Sequence, residues 1–234
     1  VLHSRHEQGA AYMALGYAQA TGRVGTVIVV PGPGLLNASA AISTGYALNS
    51  QMLCVVGQIP SAMIGRGTGQ LHELPDQLAI AQGLTKFAAR MDSPGDAPAT
   101  LAEAFRQLHT GRRRPVHVEM AMDILKAEGD VTPIDPPDSY DAAEPDPDRI
   151  AAAAKLLGEA RNPLIFAGGG AVDAGADLLL LAELLQAPVV MSRGALGAID
   201  SRHPLALTPP HGHKLWKDAD VVLGIGTRLV PMVP

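Results

Sequence analysis

The run Thr26-Val27-Ile28-Val29-Val30 limits most sharply what this chain can fold into. An unbroken β-branched stretch without polar alternation reads as a strand covered on both faces, which is the habit of parallel sheets. It stops at Pro31-Gly32-Pro33-Gly34, after which residues 35–48 take helical spacing and carry many small side chains. The succession then repeats. Residues 52–56 form a second buried run, closed by Gly57-Gln58-Ile59-Pro60, and residues 116–120 a third, entered through Pro115. Ahead of the first strand, an extended piece over residues 1–5 leads into a helix over residues 8–20. That helix ends at Gly22, a residue suited to the left-handed position after a helix. A polar, glycine-rich loop spans residues 61–73, with helices expected over 76–82 and 99–110. Strands alternating with helices predict an α/β unit around a mostly parallel, doubly wound sheet.

A second such unit follows. Residues 123–147 are acidic and carry Pro133, Pro136, Pro137, Pro145 and Pro147 with little periodicity, as a linker does. Asp146 is placed to cap a helix over residues 148–160, with Pro147 at its first position. A strand over 164–167, the triplet Gly168, Gly169 and Gly170, a helix over 174–185, and strands over 189–191 and 221–225 complete the pattern. The expected division is therefore 1–122, linker 123–147, and 148–234. With 47% hydrophobic but only 3% aromatic residues, both cores must be built from small and aliphatic side chains. The chain lacks an initiator Met, and it starts and stops close to strand-like segments, so a piece of a larger protein is expected.

Charge and composition exclude some functions. A net charge of −5 leaves no basic footprint for nucleic acid, and Arg112-Arg113-Arg114 fits a solvated turn. No apolar run is long enough to cross a bilayer, so no membrane partner is expected. Cys54 lies within an apolar strand with no second cysteine to pair with, which points to a reducing, cytoplasmic setting.

Loops at the carboxyl ends of strands in a doubly wound sheet converge on one rim, where ligands bind. Glu7, the Gly32-Pro33-Gly34 turn and the Gly57-Gln58-Ile59-Pro60 turn should share that rim. Each has a plain structural reading as well, since a carboxylate at a helix start faces the positive end of the helix dipole. No Walker-type phosphate loop, no metal-ligand spacing of Cys and His, and no nucleophile elbow occurs.

Taken in order, these stretches resemble a known family. Arg5-His6-Glu7-Gln8-Gly9-Ala10-Ala11, then Gly16-Tyr17-Ala18-Gln19-Ala20-Thr21-Gly22, Pro31-Gly32-Pro33-Gly34 with Asn37, and Gly57-Gln58-Ile59-Pro60 are similar to the pyrimidine-binding domain of thiamine diphosphate enzymes, above all the acetolactate synthase group. The likeness continues through Thr85-Lys86 and Arg114-Pro115-Val116-His117-Val118. In the second unit, Asn162-Pro163, Gly168-Gly169-Gly170, Ala187-Pro188-Val189-Val190 and Gly226-Thr227-Arg228 resemble the central, Rossmann-like domain of the same enzymes. The first unit would then lack its first elements and the second would be truncated.

The resemblance implies a role for each site residue. Glu7 would hydrogen-bond a ring nitrogen of the cofactor's aminopyrimidine and favour the imino form that removes the thiazolium proton. The cofactor would then serve as electron sink for a 2-oxo acid. Gly32, Pro33, Gly34, Asn37 and Gln58 would flank the pyrimidine. An apolar setting from Ala10, Ala11, Pro33 and Ala38 would raise the pKa of Glu7. The diphosphate and its Mg²⁺ would be held by a Gly-Asp-Gly…Asn motif outside this chain, so metal ligands are expected from none of these residues. Relatives work as homodimers or homotetramers with shared sites.

Two departures keep alternatives open. Leu71-His72-Glu73 stands where acetolactate synthases carry Phe-Gln-Glu on the substrate loop, and His72 replaces an amide with an imidazole. That leaves room for another superfamily activity: a 2-oxo acid decarboxylase, an acyloin lyase or a dione hydrolase. The segment after Pro210-His211-Gly212-His213 is shorter than in flavin-containing relatives. FAD on Gly168, Gly169, Gly170, Gly226 and Arg228 therefore competes with a central domain that holds no flavin. A non-catalytic nucleotide-binding module is the reading from a different class, and Glu7 beside the Gly-Pro-Gly turn speaks against it.

Overall fold

The computed structural model describes residues 1–137, 139–140 and 144–229. It forms two compact units that divide after residue 143. The first runs α1 (Glu7–Thr21), β1 (Gly25–Val29), α2 (Pro33–Leu48), β2 (Met52–Gln58), α3 (Gln77–Leu84), β3 (Phe87–Met91), α4 (Ala97–His109) and β4 (Val116–Ala121). Its sheet is wholly parallel in the order β1-β2-β4-β3. The second unit runs α5 (Pro147–Glu159), β5 (Pro163–Ala167), α6 (Gly175–Leu185), β6 (Val189–Met191), β7 (Ala206–Leu207), α7 (Pro209–Trp216) and β8 (Val221–Ile225). Its sheet is also parallel, in the order β7-β6-β5-β8. The α/β class with two parallel sheets is thus as the alternation of strands and helices predicted.

Small residues build the first core. Ala11, Ala38 and Ala41 are fully buried where α1 and α2 meet, beside Leu15, Leu35, Ile42, Met52 and Val56. With no side chain beyond Cβ at those positions, the two helices can pack closely, and this brings their N-terminal turns together at one end. In the second core Ile165, Val189, Leu178 and Ala182 do the equivalent work. Asp146 caps α5 as expected, accepting from the backbone N–H groups of Asp148 (3.0 Å) and Arg149 (3.3 Å).

Two expectations change, and two strands form that the sequence did not announce. Residues 1–5 join no strand among the described residues and lie exposed; His6, accepting from the Gln8 N–H through Nδ1, starts α1 instead. Glu7 therefore owes its place to the packing of α1 and not to a strand end. The run at 26–30 forms β1, but its burial alternates, and Ile28 is 72% exposed. β1 is the edge strand of its sheet, with Val27 and Val29 on the face that α1 and α2 cover. β3 carries Ala88, Ala89 and Arg90, a composition without strand propensity, and exists because β4 pairs with it from Phe87–Val116 to Met91–Met120. The two residues of β7 are held in the same way by β6.

Candidate active site

Tight packing of α1 on α2 sets two side chains against each other. Glu7 stands in the first turn of α1 and Asn37 in the second turn of α2, and Asn37 Nδ2 donates to Glu7 Oε2 at 3.1 Å. Both lie toward solvent, at the end of the sheet where β1 passes into the Gly32-Pro33-Gly34 turn. The carboxyl of Glu7 is held below its ordinary value. The largest cause is its own backbone N–H at the helix start, followed by the Asn37 amide and, more weakly, His6 and His72. The expected rise in pKa is therefore corrected. Ala11 and Ala38 face the helix–helix contact, Pro33 is exposed, and none of them walls off the carboxylate.

Gly32 is the residue on which the turn depends. Its φ of 58° and ψ of −109° lie outside the regions open to L side chains, and a Cβ there would sit 2.4 Å from the carbonyl oxygen of His72. Glycine thus lets the loop over residues 61–73 rest directly on the turn. The loop organises itself around Glu73, whose Oε1 accepts from the Gly67 N–H (2.9 Å) and Oε2 from the Gln70 N–H (2.8 Å). Those bonds hold the carboxyl of Glu73 low as well. Leu71 projects from the loop, 84% exposed, and His72 adopts a left-handed φ of 71°. The structure accordingly brings Glu7, Asn37, Gly32 and His72 to one rim.

Gln58 behaves differently from expectation. Its side chain is buried, Oε1 accepting from the Ile59 N–H (2.7 Å) and Nε2 reaching Glu119 Oε1 (3.4 Å). The amide supports the rim from beneath and does not point into it. Glu119 itself belongs to a group that sequence reasoning missed. It is fully buried in β4, with His117 Nε2 3.0 Å and Gln77 Nε2 2.8 Å from its Oε2. Burial pushes its carboxyl up, but the bonds from His117, Gln77 and Gln58 outweigh that, and the net direction is down. One signal was available in the sequence. His117 and Glu119 are two apart in an apolar run, so a strand must aim both at the same side.

In the second unit the glycines serve packing. The N–H of Gly168 donates to the Ile225 carbonyl (2.8 Å) and that of Gly170 to the Gly226 carbonyl (3.1 Å). A Cβ on Gly168 would lie 2.3 Å from the Gly226 oxygen. The close approach of the β5 and β8 ends is therefore what these residues permit, and two of the N–H groups expected to meet a dinucleotide are already bonded. Arg228 is exposed beyond β8. Among the described residues no group of three or more His, Cys, Asp or Glu is arranged to hold a metal, and no helix is long and apolar enough to cross a membrane.

Comparison with known proteins matches both parts of the chain to one group of enzymes. Residues 1–80 match the model for the thiamine pyrophosphate enzyme, N-terminal TPP binding domain, and residues 150–233 match the model for the central domain of the same enzymes. The chain belongs to the thiamine pyrophosphate enzyme family. Among its relatives are an acetolactate synthase large subunit of Corynebacterium glutamicum, 36% identical over 96% of this chain and 37% of that protein. A Pseudomonas aeruginosa protein named "Probable 2-ketoarginine decarboxylase AruI" is 36% identical over 97% of this chain and 41% of its own length. An X-ray structure of a Mycobacterium smegmatis enzyme assigned as thiamin diphosphate-dependent superposes with a TM-score of 0.81, at 25% identity, over 99% of this chain and 46% of that one. The chain thus spans about two fifths of the length of the curated relatives it matches.

Proposed function

We propose that the intact protein is a thiamine diphosphate-dependent lyase or carboligase that acts on a 2-oxo acid in the manner of acetolactate synthases. This chain would supply the pyrimidine side of the site. The observation that carries the reading is the Glu7–Asn37 pair at 3.1 Å beside the Gly32-Pro33-Gly34 turn. A carboxylate and an amide side by side suit a ring that bears both a nitrogen and an exocyclic amine, so the donor set fits that half of the cofactor. When bound, thiamine diphosphate supplies a nucleophilic carbon and an electron sink for decarboxylation. Glu7 then holds or releases a proton at its carboxylate while Asn37 fixes the other oxygen. Its present half-open setting favours the ionised form; a surface laid over the rim would remove water and raise its proton affinity. Leu71 and His72 face the substrate from the loop.

Diphosphate and Mg²⁺ are assigned to parts of the protein outside this chain, and the covering surface to a second subunit, giving a homodimer or homotetramer. We assign no flavin to the second unit, because Gly168 and Gly170 use their N–H groups within the backbone. Buried, unpaired Cys54 fits a reducing compartment, hence the cytoplasm; recovery of the native protein from a secreted fraction would count against that. A plain 2-oxo acid decarboxylase is the second reading, favoured by His72 in the loop and by the name of the Pseudomonas relative. Calorimetry tests the main proposal. The full-length protein should bind thiamine diphosphate in the presence of Mg²⁺, sediment as a dimer or tetramer, and consume a 2-oxo acid. No heat at millimolar cofactor, or an active monomer, would overturn it.

A further inference from the structure

The buried amide of Gln77 joins the Gly32 turn and the end of β2 to the interior. Its Oε1 accepts from the Gly32 N–H at 2.7 Å, while its Nε2 donates to the Gly57 carbonyl at 3.0 Å and to Glu119 Oε2 at 2.8 Å. Gln77 is only 2% exposed, and Glu119 and His117 are fully buried. The partners dictate the orientation of the amide. Gly32 can only donate, and Gly57 and the Glu119 carboxylate can only accept, so the oxygen must face Gly32 and the nitrogen must face the other two. Glu119 is in turn held by the His117 ring and Gln58, with Arg90 Nη1 at 4.0 Å. A buried amide whose bonds are all taken cannot rotate without leaving a backbone group unpaired. Gly32 is thereby fixed from beneath, while the His72 carbonyl occupies the space a Cβ at this position would need.

Building on the proposed function, we infer that Gln77, anchored by the Glu119–His117 pair, is a positioning residue for the cofactor. It sets the height of the Gly32-Pro33-Gly34 turn, and with it the distance from the turn to the Glu7 carboxylate. Gln77 touches neither cofactor nor substrate. Its effect passes through one backbone N–H in the turn after β1 and one backbone carbonyl near the end of the adjacent strand β2. A relaxed turn would cost cofactor affinity first, because the pyrimidine would lose the fit between turn and carboxylate. Turnover at saturating cofactor would change less, since Glu7 itself is intact.

The experiment uses the full-length protein and thiamine diphosphate with Mg²⁺, comparing Gln77→Met with a control. Methionine keeps the length and removes all three bonds. Gln51→Met is the control, because Gln51 is equally buried, bonds the Leu108 carbonyl at 3.0 Å, and lies at the opposite end of β2. Gln77→Met should weaken calorimetric cofactor affinity by about tenfold to a hundredfold. Its kcat at saturating cofactor should stay within about threefold of the parent. Gln51→Met should lower the melting temperature without moving that affinity. Parent-like affinity in folded Gln77→Met, or an equal loss in Gln51→Met, overturns the inference while leaving the proposed function standing. Failure of the parent to bind overturns both. If Gln77→Met does not fold, Glu119→Gln decides: it keeps the size and one acceptor, and should weaken binding about threefold or more by setting an NH₂ against Gln58 or His117. Unchanged affinity there equally overturns the inference.

Discussion

Replacing Gly32 with alanine tests whether the turn and the loop that carries His72 are one mechanical unit. At φ 58° and ψ −109° the backbone is held where L residues are rarely found, which costs roughly 1–3 kcal/mol. The new Cβ would lie 2.4 Å from the His72 carbonyl oxygen, against 3.4 Å for an ordinary contact. The loop must therefore retreat by about 1 Å, and forcing a methyl into a filled site adds about 1–3 kcal/mol. Stiffening the unfolded chain returns about 0.4–1 kcal/mol. The net loss should be about 1–6 kcal/mol. Gly69→Ala isolates the contact, because Gly69 also has a positive φ (74°) but has no atom within 4 Å of the added Cβ. Its cost should be the backbone part less the same return, about 0–2 kcal/mol. Urea denaturation followed by circular dichroism measures the difference. Trypsin adds a local readout, since a displaced loop should be cut faster at Arg66. Equal urea midpoints for the two variants, with equal cutting at Arg66, would refute the reasoning that the turn and loop support each other.

The other expectations concern the carboxylates. Glu7→Gln keeps size and the bond from Asn37 but cannot exchange the proton, so activity should fall by about a hundred- to ten-thousandfold with the fold intact; turnover within about threefold of the parent would leave Glu7 as a helix-start carboxylate only. Glu119 has a folded-state pKa below its ordinary 4.5, so its contribution is present above that value and lost as pH falls through the lowered one. The parent should therefore lose more stability than Glu119→Gln as the pH is taken down from neutral through and below 4.5, read from urea midpoints; equal losses would mean the buried pair does not bear on acid stability.

Much of the site could be read along the chain because its parts are local. The Gly-Pro-Gly turn, the carboxylate at a helix start and the apolar runs of the strands are set by residues next to one another, and local preference with hydrophobic periodicity suffices for those. The alternation of strands and helices also determined the α/β class with parallel sheets. What the chain concealed depends on neighbours far apart in sequence. β3 is a strand only because β4 offers it a ladder from Phe87–Val116 onward. Gln58 reads as a rim residue until the sheet closes and Glu119, 61 positions away, takes its amide inward. Gln77 carries no motif at all, and its role exists only because three partners from separate elements converge on one buried amide. The lowered carboxyl of Glu7 is of the same kind. Residue type gives it a proton to exchange; how tightly it is held depends on Asn37, 30 positions on, and on how much water the packed helices leave at the rim.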